Sequence, residues 1–200
     1  MDRREFFKRG LGRAAEKAVK IVDDKVAQRA VRWIRPPFAI PELEFLLACT
    51  RCDACIKACP YDVIFPLSSS NGAEVMNSPA LDLLNKGCHL CEDWPCVNAC
   101  ETGALKMVVP EPDNEQELAV VSQLPKLAKV RIDEDSCLPY LGPECGACAS
   151  ACSVEGALLW QMERPSINEE ICTGCAMCRE ACITSPKSVN IIHKVSMNTE

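Results

Sequence analysis

The chain is poor in the material on which small domains and enzymes usually rely. Its 200 residues include only five Phe, three Trp, two Tyr and two histidines, His89 and His193. So few rings leave little bulky apolar surface for an ordinary core, and a chain of this length then needs another source of cohesion. There is no Gly-rich phosphate loop, no nucleophile elbow and no HExxH pair, which removes the motif-borne nucleotide, acyl-transfer and zinc-protease chemistries. No stretch of about 18 consecutive apolar residues occurs, so no transmembrane segment is predicted. Basic residues are also outnumbered, 22 Lys and Arg against 28 Asp and Glu. The resulting net charge of −6 argues against nucleic acid as a partner.

What is present in excess is cysteine. Sixteen cysteines fall into four groups of four with none left over. The groups are Cys49, Cys52, Cys55 and Cys59; Cys88, Cys91, Cys96 and Cys100; Cys137, Cys145, Cys148 and Cys152; and Cys172, Cys175, Cys178 and Cys182. The first and last have the spacing in which three cysteines hold one [4Fe–4S] cluster and the fourth reaches a second. Three cysteines in a tight loop can curl their sulfurs around one face of a cubane. The fourth follows four residues later, about one helical turn or ~6 Å along the axis, and so points past it to a neighbour. Sixteen thiolates suffice for four fully ligated [4Fe–4S] clusters.

Other uses of cysteine fit less well. Disulfides suit short secreted chains, but here three thiols per group converge on one point. Structural zinc prefers two Cys-x2-Cys pairs separated by a longer loop, and a third cysteine at this spacing crowds a tetrahedral site. A Rieske centre needs two histidines in place of two cysteines, and no cysteine is missing. A catalytic iron–sulfur site usually leaves one iron open, by analogy with the open position of catalytic zinc. Sixteen thiolates for four cubanes leave none, so the pattern reads as an electron carrier and not as an enzyme. The alternative is an assembly or maturation factor for a metalloenzyme.

The fold class expected is α+β, with tandem bacterial-type two-cluster ferredoxin modules of short strands and helices behind an N-terminal amphipathic helix. Residues 1–35 carry eleven basic and five acidic residues, a net +6, and the remainder eleven and twenty-three, a net −12. Within the first segment, Leu11, Ala15, Ala18, Val22, Val26 and Trp33 share one helical face, which predicts a helix over 11–34 ended by Arg35-Pro36-Pro37. Pro41–Ala48 reads as a short helix delivering Cys49, and Pro66–Ala80 as loop. The domains expected are 1–35, a first module over 36–110, a linker or insertion over 111–128, and a second module over 129–195.

In the second module Lys129–Ile132, Ala157–Trp160, Ser166-Ile167 and Val189–Ile192 are short β-prone segments flanking two cysteine groups. Pairing outer with outer and inner with inner would give Cys137, Cys145, Cys148 and Cys182 one cluster, and Cys172, Cys175, Cys178 and Cys152 the next. Cys49, Cys52, Cys55 and Cys100, and then Cys88, Cys91, Cys96 and Cys59, would hold the other two. A nested order stays open, in which Ala104–Val109 forms a hairpin with Lys129–Ile132. The connection between them makes it less economical. Trp94, Trp160 and Tyr140 lie near the motifs and are expected to shield clusters from water, and His89 could hydrogen-bond a cluster sulfur.

With these motifs laid out, the chain resembles polyferredoxins of the NapG/MauM type. The likeness lies in Arg35–Pro37, in Cys49–Asp62, in Cys88–Leu105 with its wider second gap, and in the wide Cys137-to-Cys145 gap. The resemblance implies relay of electrons through the clusters, between a donor or a membrane quinol-linked protein and a redox enzyme subunit. The family serves periplasmic nitrate reduction and methylamine oxidation, and the same cassette could serve a molybdenum or tungsten oxidoreductase. Members carry a twin-arginine signal with an apolar core. This chain has Arg3-Arg4, but Arg13, Glu16, Lys17, Lys20, Asp23 and Asp24 occupy the place of that core. The location expected is therefore cytoplasmic, peripheral to the membrane, with twin-arginine export to the periplasm as the alternative.

Overall fold

The computed structural model describes residues 33–107 and 124–192. Within them the longest helix is the seven-residue α1, Glu42–Ala48. Helices this short are not stable alone in water, so their neighbours must hold them. In the first half α1 leads into Cys49, α2 (Ala54–Ala58) carries Cys55 towards Cys59, and α3 (Pro95–Asn98) carries Cys96 towards Cys100. Strands β1 (Ile64–Pro66) and β2 (Pro79–Leu81) form an antiparallel pair in the register Ile64 to Leu81. The sequence reading placed loop from Pro66 to Ala80; three-residue strands bounded by proline are too short to show a period.

The segments flanking the half also meet. Ala39 bridges Leu105, the Ile40 N–H donates to the Ala104 carbonyl at 3.1 Å, and the Lys106 N–H donates to the Phe38 carbonyl at 2.9 Å. The second half repeats the plan with longer strands. Here β3 (Lys129–Ile132) pairs antiparallel with β6 (Val189–Ile192), and β4 (Leu158–Gln161) with β5 (Arg164–Ile167). Between them lie α4 (Leu138–Leu141), a 3-10 turn at Ala149–Ala151, and α5 (Met177–Ala181). Thus β3 takes β6 as its partner, while Ala104 to Lys106 turn back onto the start of the first half. Among the described residues the hairpin of the nested order is not formed.

The two-residue connection between β4 and β5 is Met162-Glu163, both left-handed at φ 47° and 64°. Two positive-φ residues give the twist that a tight hairpin needs. Neither is Gly, Asn or Asp, so the usual turn signal was absent from the sequence.

Arg35 fixes the entry to the first half. Its guanidinium donates to both Glu42 carboxylate oxygens at 2.9 and 2.6 Å, to Ser78 Oγ at 2.9 Å and to the Pro79 carbonyl at 2.7 Å. It also lies over the rings of Phe45 and Trp33. Helix α1, the β1–β2 connection and the entering segment are therefore tied at one largely buried cation. The expected helix over 11–34 otherwise lies outside the described residues. At its end it is not helix, because Ile34 bridges Leu81 and Trp33 Nε1 donates to Glu42.

The halves share a core. Leu127, Ala128 and Ala176 of the second half are buried in the cluster that contains Ile34, Phe45, Val63 and Leu81 of the first. Leu127 and Ala128 fall at the end of the segment read as linker, yet both are buried.

Candidate iron–sulfur sites

Tight turns aim the sulfurs. Arg51 and Asp53, either side of Cys52, are left-handed at φ 58° each, and Gly174 and Ala176, either side of Cys175, match them at 76° and 65°. In the second motif Leu90 and Trp94 are left-handed at 50° and 45°. A left-handed residue other than glycine costs roughly 1–2 kcal/mol, and such residues gather where function requires the geometry. Gly174 is doubly constrained, since a Cβ there would overlap the Ala128 carbonyl. Each loop thereby turns three cysteines towards one cavity.

There are four such cavities, and each is walled by four cysteines. Cys49, Cys52, Cys55 and Cys100 line the first, with Phe45 and Leu105. Cys59, Cys88, Cys91 and Cys96 line the second, with Trp94 and His89. Cys152, Cys172, Cys175 and Cys178 line the third, with Val130 and Ile167. Cys137, Cys145, Cys148 and Cys182 line the fourth, with Trp160 and Ile183. In every case three cysteines come from one motif and the fourth from its neighbour, as a reach of one helical turn allows. All sixteen cysteines are thus gathered, and none is paired in a disulfide.

The electrostatics of these walls call for a cationic guest. Burial, reinforced by neighbouring cysteines, pushes the Cys55, Cys88 and Cys137 thiols up to about 11. The same causes push Cys96 and Cys178 up to about 12. Four thiolates facing one space repel one another unless a positive centre sits between them. Cys182 departs from this pattern. Burial raises it, but hydrogen bonds from the Thr184 hydroxyl and amide and from the Ser188 amide, with Lys187 nearby, outweigh burial and hold it below the usual value.

The donor set fits an iron–sulfur cubane. Among the described residues no three Cys, His, Asp or Glu side chains gather closely enough for a single ion. Sulfurs spread around a space suit a body of several atoms better than one zinc. Trp160 Nε1 and Thr173 Oγ1 are buried without a hydrogen-bond partner. Both line cysteine cavities, where cluster sulfur would accept from them. Sulfur already accepts from backbone at Cys100, from the Leu105 N–H at 3.3 Å, and at Cys172, from the Gly174 N–H at 3.4 Å.

The aromatic residues divide. Trp94 and Trp160 line cavities, whereas Tyr140 donates its hydroxyl to the Pro165 carbonyl at 2.9 Å and braces β5. His89 stacks on Tyr61, ring centroids 3.4 Å apart and nearly parallel, at the wall of the second cavity. His193 lies outside the described residues. Sequence reasoning missed Tyr61, whose only signal was its place directly after Cys59-Pro60. It also read Arg35 as part of a helix stop; a largely buried cation joined to a partner seven residues on leaves no local pattern.

Comparison with known proteins places this geometry in a class. Residues 48–105 match the 4Fe-4S dicluster domain. The chain is 31% identical over 172 residues to the methylamine utilization ferredoxin-type protein MauM of Methylobacillus flagellatus, covering 82% of this chain and 69% of that protein. It is 30% identical over 205 residues to MauM of Methylophilus methylotrophus, covering 96% and 86%. The ferredoxin-type protein NapG of Escherichia coli is 28% identical over 171 residues, covering 80% and 70%. No solved structure matches. The chain is an iron–sulfur electron-transfer protein of ferredoxin type, built for [4Fe–4S] clusters. Within that class it belongs to the MauM/NapG family of ferredoxin-type proteins.

Proposed function

We propose that the chain holds four [4Fe–4S] clusters, one per cavity, through all sixteen cysteines, in two modules joined by their packed faces. The observation that carries this is the count: four cavities, each walled by four cysteines, with no cysteine to spare. The clusters would supply reversible one-electron chemistry at potentials set by their surroundings. The residues around them bind, orient and keep water out: Trp94 and the Tyr61–His89 stack at the second cavity, Trp160 and Ile183 at the fourth.

Complete cysteine ligation leaves no iron open to a substrate, which supports a carrier that relays electrons from a donor to a redox enzyme subunit. Relatives named for methylamine utilization support an oxidoreductase system as the setting. A membrane quinol-linked protein is the donor or acceptor on one side, and a redox enzyme, for example one containing molybdenum or tungsten, on the other. The acidic body, net −12 over residues 36–200, suits a basic docking face. Among the described residues no helix is long and apolar enough to cross a membrane.

Iron and sulfide analysis of anaerobically reconstituted protein tests this. About sixteen of each per chain are expected from four cubanes. About eight iron, or stoichiometric zinc, would overturn it.

A further inference from the structure

Electron tunnelling weakens steeply with distance, so the order of the sites in space decides whether a chain of four can conduct. Within each half the order follows from the exchanged cysteines. Cys59 and Cys100 cross between the first and second cavities, and Cys152 and Cys182 cross between the third and fourth. Each exchanged cysteine ties two neighbouring cavities through one short piece of backbone.

The joint between halves is equally specific. The Cys88 N–H donates to the Cys175 carbonyl at 2.7 Å, so a residue lining the second cavity is hydrogen-bonded to one lining the third. The contact is braced on both sides. The Gly87 N–H donates to Glu180 Oε2 at 2.7 Å, and Arg179 Nε donates to the Leu84 carbonyl at 3.0 Å. Gly87 is required by the fit, since a Cβ there would lie 2.8 Å from Met177 Cα.

We propose that the Cys88–Cys175 contact is the crossing point between the halves, so that the four sites form a single row running through motifs one, two, four and three. This rests on the four-cluster reading above. The row departs from chain order, because the fourth motif and not the third faces the first half. Its ends are then the site of Cys49, Cys52 and Cys55, where Cys52 is exposed, and the site of Cys137, Cys145 and Cys148. Partners would dock at those ends. With clusters bound, one electron would cross the joint in whichever direction the partners drive it, one centre being oxidised as its neighbour is reduced, with no bond or proton transferred. The electron comes from the redox partner in use and from dithionite in the test.

The test is electron paramagnetic resonance of the full chain reduced with dithionite. Cys49→Ala with Cys52→Ala, and Cys137→Ala with Cys145→Ala, disable both ends together and should leave about eight iron of about sixteen. The two remaining centres should show a split, broadened spectrum and fast relaxation. The converse protein, disabled in both inner cavities by Cys88→Ala, Cys91→Ala, Cys172→Ala and Cys175→Ala, should give two independent narrow signals. Should the ablated proteins fail to load, Gly87→Leu keeps every cysteine, and it should hold full iron yet lose part of the interaction across the joint. Independent signals from the inner pair, coupling between the outer pair, or an unchanged Gly87→Leu spectrum would overturn the order. Wild-type protein with only about eight iron would instead overturn the four-cluster reading itself.

Discussion

Residues 33–107 and 124–192 follow one pairing plan, yet they draw on different sources of cohesion. The first half packs Phe45, Val63, Ile64, Leu81 and Leu83 into a shared aliphatic core and pins its entry with Arg35. A second small cluster of Trp33, Leu67, Val75 and Ala80 sits under the β1–β2 connection. Among the described residues away from the joint, the second half's buried cluster is smaller: Val130, Val189 and the cavity cysteine Cys178, with Ile132, Ile167, Ile191 and the cavity cysteines Cys148, Cys172 and Cys182 packed around them. On the proposed four-cluster reading the second half leans more on its metal sites than the first, although it has the longer strands. Strand regularity is no guide here to how much of a fold survives alone.

That contrast can be broken most directly by removing the metal. Because ligand binding and folding share one free energy in such sites, chelation should abolish amide protection across β3 to β6. Around Phe45 and β1–β2 partial protection should remain. Hydrogen exchange followed by peptide mass analysis reads this, and equal loss in both halves would erase the distinction.

The next effect should come from Arg35→Ala. Removing one partner of a largely buried ion pair strands the other and costs at most about 3–5 kcal/mol. The loss should fall on the first half, leaving the half-buried Glu42 without its cation. Thermal unfolding with iron content measured in parallel should show lowered stability, with the first two sites lost before the others. A shift under about 1 kcal/mol would mean the pair is solvated.

A single ligand sharpens the comparison within the second half. Cys182→Ala should empty the fourth cavity and spare the third, although Cys182 belongs to the motif that lines the third. About twelve iron should remain, and the lost spectral component should be the one removed by Cys145→Ala and not by Cys172→Ala.

The smallest effect is one of pH. In the metal-free first half, which keeps partial protection, Cys55 and Cys88 are raised to about 11 and Cys96 to about 12. An unfolded thiol ionises near pH 8.5, so the unfolded chain holds fewer protons above that value. Stability of the metal-free fold should therefore fall as pH rises through about 8.5. Loading releases protons and should improve over the same rise. Reconstitution yield and metal-free melting at pH 7 and 9 should move in opposite directions, and parallel movement would contradict the buried-thiol account.

Much of the chemistry was legible because it is local. Cysteine spacing, the turn into each motif and the one-turn reach of the fourth thiol are set within short stretches of chain, Cys137 to Cys152 at the longest, and the periodicity of backbone geometry makes them readable. The short helix before Cys49 and the β-prone flanks of the second half belong to the same category. Three features had no local signature. Arg35 meets Glu42, Ser78 and Pro79 across long separations. The Met162-Glu163 turn adopts left-handed backbone without the residues that announce it. The joint at Gly87, Cys88 and Cys175 depends on two loops about ninety residues apart. The sequence by itself determined which side chains could bind metal and in what groups. Only tertiary structure decided which groups face each other, because that choice rests on side-chain shape at a packed interface, where a single Cβ on Gly87 would keep the halves apart.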